Sequence, residues 1–233
     1  MPEVTVRVAA ELRFFLPSKR RAHCVRSTHD GTASTGHVVR SLGVPLTETG
    51  ELRVDGEPVP AAHRPAAGSV IDVPPVPRPQ PAPPRFQLDV HFGKLARRMR
   101  LLGIDTGYRN DAADDELIAE AARDDRVLLT QDRGILHRRA VRIGAFVRGS
   151  DPDDQLADVL DRFAPPLAPW TRCTACNGVL RAVPKTSVTG EIQPGTRRNY
   201  DRYARCPDCG RVYWRGAHSR RIEKMIRAAV PGR

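Results

Sequence analysis

The 233-residue sequence predicts an α/β protein built from three parts. Three observations support this fold class: a proline-rich segment, alternating strand and helix patterns after it, and two pairs of cysteines in the last quarter. Alternating strands and helices are typical of a parallel sheet flanked by helices. We therefore predict four segments: an α+β domain at 1–74, a linker at 75–84, a parallel-sheet domain at 85–169 and a cysteine-containing ribbon at 170–233.

The first segment has the pattern of a small α+β domain. Val4, Val6 and Val8 alternate with polar neighbours, as in a half-buried strand. The stretch GHVVRSLGVP predicts a short helix that ends at Gly43. The stretches ELRVDGEPV and SVIDV predict further strands, the first with an Asp-Gly turn.

Residues 74–84, PPVPRPQPAPP, contain seven prolines in eleven positions. Proline fixes its backbone angle and has no amide hydrogen, so this composition predicts an extended polyproline segment. At about 3.1 Å per residue the segment would span roughly 34 Å and act as a stiff spacer. It is the clearest domain boundary in the sequence.

The segment after the linker alternates between strand and helix patterns. Strands are predicted at 85–90, 104–108, 127–130 and 141–147, and helices at 92–102, 115–123, 134–139 and 152–163. The first helix has one apolar face, formed by Phe92, Leu95, Met99 and Leu102. The continuous apolar run from Val127 to Leu129 predicts a strand that is buried on both faces.

Aspartates lie where these elements begin and end. Asp89 ends the first strand, Asp132 follows the third, and Asp114 or Asp115 is expected to cap the second helix. The carboxyl ends of parallel strands form the ligand crevice of an open sheet, so these carboxylates should meet at one rim. Clustered carboxylates repel each other unless a cation separates them, and oxygen ligands suit Mg²⁺ or Mn²⁺. In the alternative interpretation each acid is only a turn or cap residue.

Four cysteines form two Cys-x2-Cys pairs that are separated by 29 residues: Cys173, Cys176, Cys206 and Cys209. Four thiolates at such a spacing predict a structural, tetrahedral Zn²⁺ site. A redox dithiol in either pair is the alternative. The fifth cysteine, Cys24, is expected to be a small buried residue.

The net charge of +11 is concentrated at the end of the chain. Residues 170–233 contain 14 basic and 4 acidic side chains, a net +10, against +2 for 1–84 and −1 for 85–169. This distribution predicts an anionic partner. Cations alternate with aromatic rings between the cysteine pairs, a mixture that suits phosphate contacts and base stacking: Arg197, Arg198, Tyr200, Arg202, Tyr203 and Arg205. A basic amphipathic helix is predicted at 217–229.

The sequence contains no run of about 18 apolar residues, as a membrane span would require. Charged residues throughout the first seventeen positions argue against a signal peptide. We therefore expect a cytoplasmic location, where thiols stay reduced.

Three motifs resemble the Mut7-C family over about residues 85–220: LDVHFGKLARRMRLLGIDTGY, DDELIAEAARDDRVLLTQDRG and CTACNGVL…CPDCGRVYWRGAH. The resemblance implies a PIN-like nuclease fold and metal-dependent hydrolysis of RNA phosphodiester bonds. It implies catalytic, metal-binding carboxylates at Asp89, Asp115 and Asp132, with Asp114 as the alternative second position. Lys94 and Arg97 match the GKLAR segment and could meet phosphate oxygens, although a solvated helix face is the alternative.

The sequence departs from the family pattern at two positions. Gln131 stands where the family commonly has arginine, which puts in doubt a phosphate contact beside the site. Arg98 stands where the family commonly has tryptophan. Neither departure changes the acids.

The stretches VRVAAELRFFL and SLGVPLTETGELRVDGEPV resemble the β-grasp sulfur-carrier and ubiquitin-like family over residues 2–74. Sulfur carriers end in an exposed Gly-Gly, whereas here the last predicted strand continues into VPPVPRP. We therefore interpret this part as a docking or stabilising domain, which would contact a protein partner.

Together these patterns predict a ribonuclease that uses Mg²⁺ or Mn²⁺, with a zinc ribbon that assists RNA binding. We expect RNA contacts from seven side chains: Lys94, Arg97, Arg197, Arg198, Arg202, Arg205 and His218. Two alternatives remain, a non-catalytic zinc-ribbon RNA-binding module and a β-grasp sulfur carrier or modifier. The sequence does not determine the oligomeric state.

Overall fold

The computed structural model describes residues 2–21 and 24–215. The predicted helix 217–229 and His218 lie outside these residues. Up to Val73 the strands and helix are, in chain order, β1 (Glu3–Val8), β2 (Cys24–Thr28), α1 (Thr35–Ser41), β3 (Arg53–Val54), β4 (Glu57–Pro58) and β5 (Val70–Val73). Short 3-10 helices lie at Ala10–Phe15, Ser18–Arg20 and Leu46–Glu48.

The N-terminal strands form a mixed five-stranded sheet in the order β2-β1-β5-β3-β4. The central strands β1 and β5 are parallel, with Val6 opposite Ile71. The predicted Asp-Gly turn joins β3 to β4, and both Asp55 (φ 53°) and Gly56 (φ 91°) have the positive φ that a type I′ turn requires. The sheet and helix confirm the predicted β-grasp architecture.

Alternation of valines along β1 produces the core of this sheet. Val4, Val6 and Val8 point to one face and are at most 1% exposed. Helix α1 contributes Val38 and Val39 to the same core, and its N-terminus is capped by the Ser34 hydroxyl, which accepts a hydrogen bond from the His37 amide.

Strands and helices alternate in the next segment, as predicted. They are β6 (Arg85–Leu88), α2 (Gly93–Leu101), β7 (Asp105–Tyr108), α3 (Asp114–Arg123), β8 (Val127–Thr130), α4 (Arg133–Leu136), β9 (Gly144–Phe146) and α5 (Pro152–Phe163), with a 3-10 helix at Val90–Phe92. One detail of the prediction is wrong: the N-cap of α3 is Ala113, not Asp114 or Asp115. Both aspartates already lie in the first helical turn, where the helix dipole favours negative charge.

The strands of this segment pair in parallel. In one pair Phe86 of β6 lies opposite Thr106 of β7. In the other, Leu128 of β8 lies opposite Gly144 of β9. All four residues of β8 are buried, as its apolar run predicts. The parallel α/β class is therefore confirmed.

The last described segment contains β10 (Arg181–Val183), a 3-10 helix (Lys185–Ser187), α6 (Pro194–Asn199), β11 (Tyr203–Arg205) and β12 (Val212–Trp214). Its strands form an antiparallel sheet in the order β10-β11-β12. Val188, Ile192 and Tyr203 form a small buried core in this segment. Among the described residues, no helix combines the length and hydropathy of a membrane span.

The described residues group into two compact units. The first unit contains the chain up to Pro81 together with Leu128–Phe146. The second unit contains Ala82–Val127 together with the described residues from Val147 onward. The division into the four predicted domains stays a prediction.

Two kinds of contact place Leu128–Phe146 in the first unit. The Phe146 ring packs on the rings of Phe14 and Phe15, with centroids 5.2 and 5.3 Å apart. The Phe146 amide donates a 2.8 Å hydrogen bond to the carboxylate of Glu48, which is 2% exposed. Apolar packing and a buried polar contact therefore hold this segment against the 3-10 helices at Ala10–Phe15 and Leu46–Glu48.

Candidate functional site

Asp89 follows β6 directly, as the sequence predicts. Its side chain is buried, at 6% exposure, and its Oδ1 accepts a 2.6 Å hydrogen bond from the Val90 amide. It therefore caps the 3-10 helix at Val90–Phe92. A buried carboxylate is unusual unless it is paired or coordinates a cation.

The other predicted acids lie at helix starts. Asp114 and Asp115 are exposed in the first turn of α3. Asp132 is exposed and is the N-cap of α4, where its Oδ1 accepts a 2.6 Å hydrogen bond from the Gly134 amide. The Asp132 amide donates to the Thr130 hydroxyl at 2.8 Å. Asp132 belongs to the first unit and the other acids to the second, and their convergence on one metal ion stays a prediction.

The residue after Asp132 contacts the 3-10 helix at Ala10–Phe15, a contact that the sequence did not predict. The Arg133 guanidinium lies 5.3 Å from the ring centroids of both Phe14 and Phe15, and it donates a 3.4 Å hydrogen bond to the Phe15 carbonyl. One turn later, the His137 ring lies 3.3 Å from the Gly43 carbonyl oxygen. The short helix that begins at Asp132 is thus held by contacts to distant parts of the chain.

Two basic residues predicted to meet phosphate lie on one side of α2. Lys94 and Arg97 are exposed, while Leu95 and Met99 of the same helix are fully buried. Arg98 instead forms an ion pair with Asp153 at 2.9 Å. Lys94 and Arg97 are therefore accessible to a ligand of the second unit.

The four paired cysteines form one cluster. Their sulfur atoms all lie within 4.8 Å of one another, and the Cys173–Cys209 and Cys176–Cys206 sulfurs are 3.6 and 3.4 Å apart. Tetrahedral coordination at a Zn–S distance of about 2.3 Å requires sulfurs about 3.8 Å apart. The number, the type and the spacing of these four sulfur donors therefore fit a metal ion such as zinc, and the cluster could hold one.

The thiols of the cluster influence each other's protonation. Burial raises the pKa of Cys173, but hydrogen bonds from the Tyr213 hydroxyl and from backbone amides outweigh burial and lower this pKa to about 6. Desolvation and hydrogen bonds to the neighbouring sulfurs raise the pKa of Cys176 to about 12. Four adjacent thiolates repel one another, and a divalent cation between them removes that cost.

A polar network joins the first cysteine pair to the parallel strands of the second unit. Asp105 in β7 accepts hydrogen bonds from Arg126 at 2.6 Å, from Asn177 at 2.8 Å and from Arg172 at 3.2 Å. The Asn177 side-chain oxygen accepts a 3.0 Å hydrogen bond from the Thr106 amide. The residue after Cys176 is thus fixed to β7.

Arg100 adds a second link to the cysteine pair. This buried arginine of α2 donates to the carbonyl oxygens of Thr174 and Ala175, at 3.3 and 2.7 Å, and to that of Thr106 at 2.9 Å. Arg100 is not among the functional residues that the sequence predicts. It lies one turn after Ala96 on the apolar face of the helix, so helical periodicity could have indicated that it is buried.

The predicted RNA-binding residues of the ribbon have different surroundings. Arg197, Arg198 and Arg202 are exposed. Arg205 forms an ion pair with Glu191 at 2.6 Å. Tyr203, whose ring was expected to be available for stacking, is 3% exposed. It lies in the small core of the ribbon because its strand position faces Val188 and Ile192.

The expectation for Cys24 is wrong. This cysteine is exposed, because it lies on the outward side of the edge strand β2, in which Val25 takes the buried position. It is remote in sequence from the four-cysteine cluster and is not part of it.

Comparison with known families identifies the chain. The Mut7-C RNAse domain matches residues 84–226, which is more than half of the chain. The Mut7-C ubiquitin domain matches residues 1–81. The chain belongs to the Mut7-C family. The sequence-based recognition of this family, with its ubiquitin-like N-terminal part, is therefore confirmed.

Two solved structures are similar to part of this Mut7-C protein. The crystal structure of H. volcanii small archaeal modifier protein 1 is 20% identical, covers 33% of this chain and 100% of that chain, and has a TM-score of 0.27. The crystal structure of SAMP1 from Haloferax volcanii is 18% identical, covers 31% of this chain and 93% of that chain, and has a TM-score of 0.26. A search among curated proteins gives no match for the Mut7-C chain.

Proposed function

We propose that this Mut7-C protein is a metal-dependent ribonuclease that hydrolyses RNA phosphodiester bonds. The observation that supports this proposal most strongly is the match of residues 84–226 to a family described as an RNAse domain. The aspartates that match the family motifs follow strands or begin helices, which are positions where ligand-binding residues of α/β proteins are usually found.

In this proposal Asp89, Asp115 and Asp132 hold one or two Mg²⁺ or Mn²⁺ ions, with Asp114 as the alternative to Asp115. Carboxylates are the donor type that these ions prefer. A bound ion would supply an activated water and neutralise charge that develops on the phosphate. Lys94 and Arg97 would hold the phosphate oxygens of the RNA strand by charge-assisted hydrogen bonds.

The cysteine cluster holds structural Zn²⁺ in this proposal. Four protein sulfurs fill all four positions of a tetrahedral site, which leaves no position for a substrate. The exposed Arg197, Arg198 and Arg202, which lie between the two cysteine pairs in the sequence, would bind the RNA backbone. The ubiquitin-like domain would stabilise Leu128–Phe146 and offer its remaining surface to a protein partner.

A non-catalytic RNA-binding module is the second candidate. Asp89 and Asp132 each accept a hydrogen bond from a backbone amide one or two residues later, which by itself is a sufficient structural role for both. This candidate requires RNA binding that weakens with salt and does not depend on Mn²⁺.

Cleavage of RNA by the purified full chain in Mn²⁺ distinguishes the two candidates. We expect the wild type to cleave, Asp89→Asn and Asp132→Asn to be inactive, and Asp111→Asn, at another exposed acid, to cleave as the wild type does. Equal cleavage by all four proteins would overturn the assigned acids. Salt-sensitive binding by the wild type without any turnover would establish the non-catalytic module instead.

A further inference from the structure

A recess of about 370 Å³ lies beside α1 in the first unit. Its lining is polar and mostly basic, and it includes Asp30, Ser34, His37, Arg40, Arg64 and Arg139. None of these residues is a predicted metal ligand or belongs to the proposed catalytic set. Residues 1–84 carry a net charge of only +2, so the total charge of the N-terminal part does not reveal this local cluster.

Helical periodicity places one side of the recess. Ser34, the N-cap of α1, is followed at intervals of three residues by His37 and Arg40, which puts the three next to each other on one side of the helix. Val38 and Val39 occupy the other side, in the core of the sheet. His37 is exposed and Arg40 is half-buried, so both side chains are accessible to a ligand.

The loop before β5 forms a second side of the recess. The Thr35 amide donates a 2.7 Å hydrogen bond to the His63 carbonyl. The Gly36 amide donates a 2.8 Å hydrogen bond to the Ala61 carbonyl, and a Cβ on this glycine would lie only 2.9 Å from the Cβ of Ala61. The loop backbone is thereby fixed to α1, and the exposed Arg64, which follows His63, lies at the recess.

Arg139 reaches the recess from the segment Leu128–Phe146. The His137 ring lies 3.3 Å from the Gly43 carbonyl oxygen. The Gly43 amide in turn donates a 2.9 Å hydrogen bond to the Arg40 carbonyl. These contacts place the turn that carries Arg139 beside the end of α1, so that Arg139 joins Arg40 in the lining.

The three arginines of the recess form no ion pair with any residue that the structure describes. Asp30 is the one acidic residue in the described lining. Its carboxylate already accepts hydrogen bonds from the Thr32 amide and hydroxyl, both at 2.8 Å, and from the Ala33 amide at 3.0 Å. Three guanidinium groups and one carboxylate give the recess a net charge of +2. Like charges in one recess repel each other, and a bound anion removes that cost.

The charge and the donor type of the recess indicate a phosphomonoester. Guanidinium groups are planar forks that bind phosphate oxygens in pairs. A phosphomonoester carries about −1.5 to −2 charge near neutral pH and has three acceptor oxygens. A phosphodiester inside a nucleic acid strand carries only one negative charge. The group that ends a strand therefore matches the net +2 better than a group within it.

The position of the recess in the chain favours RNA as the bearer of this phosphate. Arg139 follows Asp132, a proposed metal ligand, by seven residues, and both belong to the first unit. Their Cα atoms are therefore at most roughly 25 Å apart. A short RNA strand held by its end at the recess can extend to Asp132.

We propose that this recess binds a terminal phosphate of RNA, with Arg40, Arg64 and Arg139 donating hydrogen bonds to the phosphate oxygens. His37, on the same side of α1 as Arg40, is a further donor. The proposal rests on the proposed function in taking RNA as the ligand. It adds a substrate class, namely RNA that carries a phosphate at one end.

The affinity for three matched oligonucleotides tests the recess. The full-length protein is titrated, in buffer without added Mg²⁺ or Mn²⁺, with oligoadenylates of one length that carry a 5′-phosphate, a 3′-phosphate or no terminal phosphate. Isothermal titration calorimetry needs no label at either end. We expect one of the two phosphorylated oligomers to bind about 10-fold more tightly than the unphosphorylated one, equivalent to about 1.4 kcal/mol. Equal affinity for all three would overturn the proposal.

Substitutions separate the terminal phosphate from general attraction to the strand. Arg64→Ala and Arg139→Ala, at exposed positions, should each reduce the preference for the phosphorylated oligomer and leave the affinity for the unphosphorylated one nearly unchanged. Arg142→Ala, at another exposed arginine of Leu128–Phe146 that does not line the recess, should retain the preference. An undiminished preference in both recess variants, or an equal loss of affinity for both oligomers, would refute the site.

A phosphoserine peptide tests the competing class of ligand, since it carries the same phosphomonoester without an RNA strand. We expect it to bind more weakly than the preferred oligoadenylate, because it lacks the remaining phosphates of the strand. Tighter binding of the peptide than of every oligomer would overturn RNA as the ligand of the recess.

The outcome for the recess is independent of the outcome for catalysis. Binding is measured without Mn²⁺, and a wild type that prefers phosphorylated RNA but never cleaves RNA would refute only the ribonuclease. A wild type that cleaves RNA in Mn²⁺ but binds all three oligomers equally would refute only the terminal-phosphate site.

Discussion

Replacement of Asp105 by asparagine tests how strongly the first cysteine pair is fixed to the parallel strands. Asp105 receives hydrogen bonds from Arg126, Arg172 and Asn177. The side chains of Asp105, Arg126 and Arg172 are only 20%, 15% and 22% exposed. Asparagine has the same shape but no charge, so Asp105→Asn removes the carboxylate that both mostly buried guanidinium groups contact. Among the described carboxylates, Arg126 then retains only the more distant Asp124, at 3.8 Å.

Removal of one partner from a buried ion pair costs roughly 3–5 kcal/mol. Because the three side chains retain some exposure, we expect Asp105→Asn to lower the free energy of unfolding by about 2–4 kcal/mol. For a chain of this length the loss corresponds to a decrease in Tm of roughly 5–15 °C. Thermal unfolding followed by circular dichroism on the zinc-loaded protein measures it.

The control is Asp201→Asn, the same chemical change at a surface ion pair. Asp201 pairs with Lys185 at 2.7 Å, and the two side chains are 86% and 34% exposed. Exposed pairs of this kind contribute little to stability, so this variant should unfold close to the wild type. A Tm for Asp105→Asn equal to that of Asp201→Asn would refute the proposed anchoring role of Asp105.

Lowering the pH should remove the stabilisation that the ionised Asp105 carboxylate provides. Burial raises the pKa of Asp105, but hydrogen bonds from Arg126 and Asn177 and the charge of Arg172 outweigh it, so the pKa is lowered in the folded protein. The stabilisation is therefore fully present above the unfolded pKa of about 3.9 and is lost as the pH falls through the lower folded value. The Tm difference between the wild type and Asp105→Asn should shrink below about pH 4. A constant difference there would contradict this assignment.

Other substitutions test the remaining parts. Cys176→Ser should lower the zinc content measured by atomic absorption, whereas Cys24→Ser, at an exposed cysteine outside the cluster, should not. An equal zinc content in the two variants would exclude the four-sulfur site. Arg133→Ala should lower the free energy of unfolding in urea by about 1–2 kcal/mol, through loss of two aromatic contacts, and more than Arg142→Ala on the same segment. Gly103→Ala should cost over about 1 kcal/mol, since φ is +80° and a Cβ would meet the Ala168 carbonyl; an unchanged urea midpoint would refute this.

Most secondary structure was predictable because its signals are local. Helix α5 begins at Pro152 and ends at Phe163, as predicted, and Asp151 caps it through hydrogen bonds from the amides of Asp153 and Asp154. Gly103 follows the C-cap of α2 with a positive φ, a conformation that glycine adopts readily after a helix. Strand β8 is buried at all four positions. Each signal depends on side chains within a few residues of the element.

The wrong predictions concern the burial of side chains and the groups with which side chains interact. Cys24 was expected inside and is exposed, while Tyr203 was expected at the surface and is buried. Residue type gives only an average tendency to burial, and the face of the strand decided both cases. From the sequence, the side chains of Arg133 and Arg100 could have paired with any anionic group. In the structure Arg133 packs on aromatic rings, and Arg100 donates hydrogen bonds to backbone carbonyl groups.

By itself the sequence determined the order of strands and helices, the β-grasp and parallel α/β classes, and the four cysteines that could share a metal ion. Periodicity, turn chemistry and motif spacing are properties of neighbouring residues, so a single chain displays them. Only the tertiary structure decided that Leu128–Phe146 joins the N-terminal unit and that Arg100 of α2 donates hydrogen bonds to the backbone between Cys173 and Cys176. Such contacts join residues that are far apart in the chain, and apolar burial is non-directional, so many alternative partners would satisfy the same pattern.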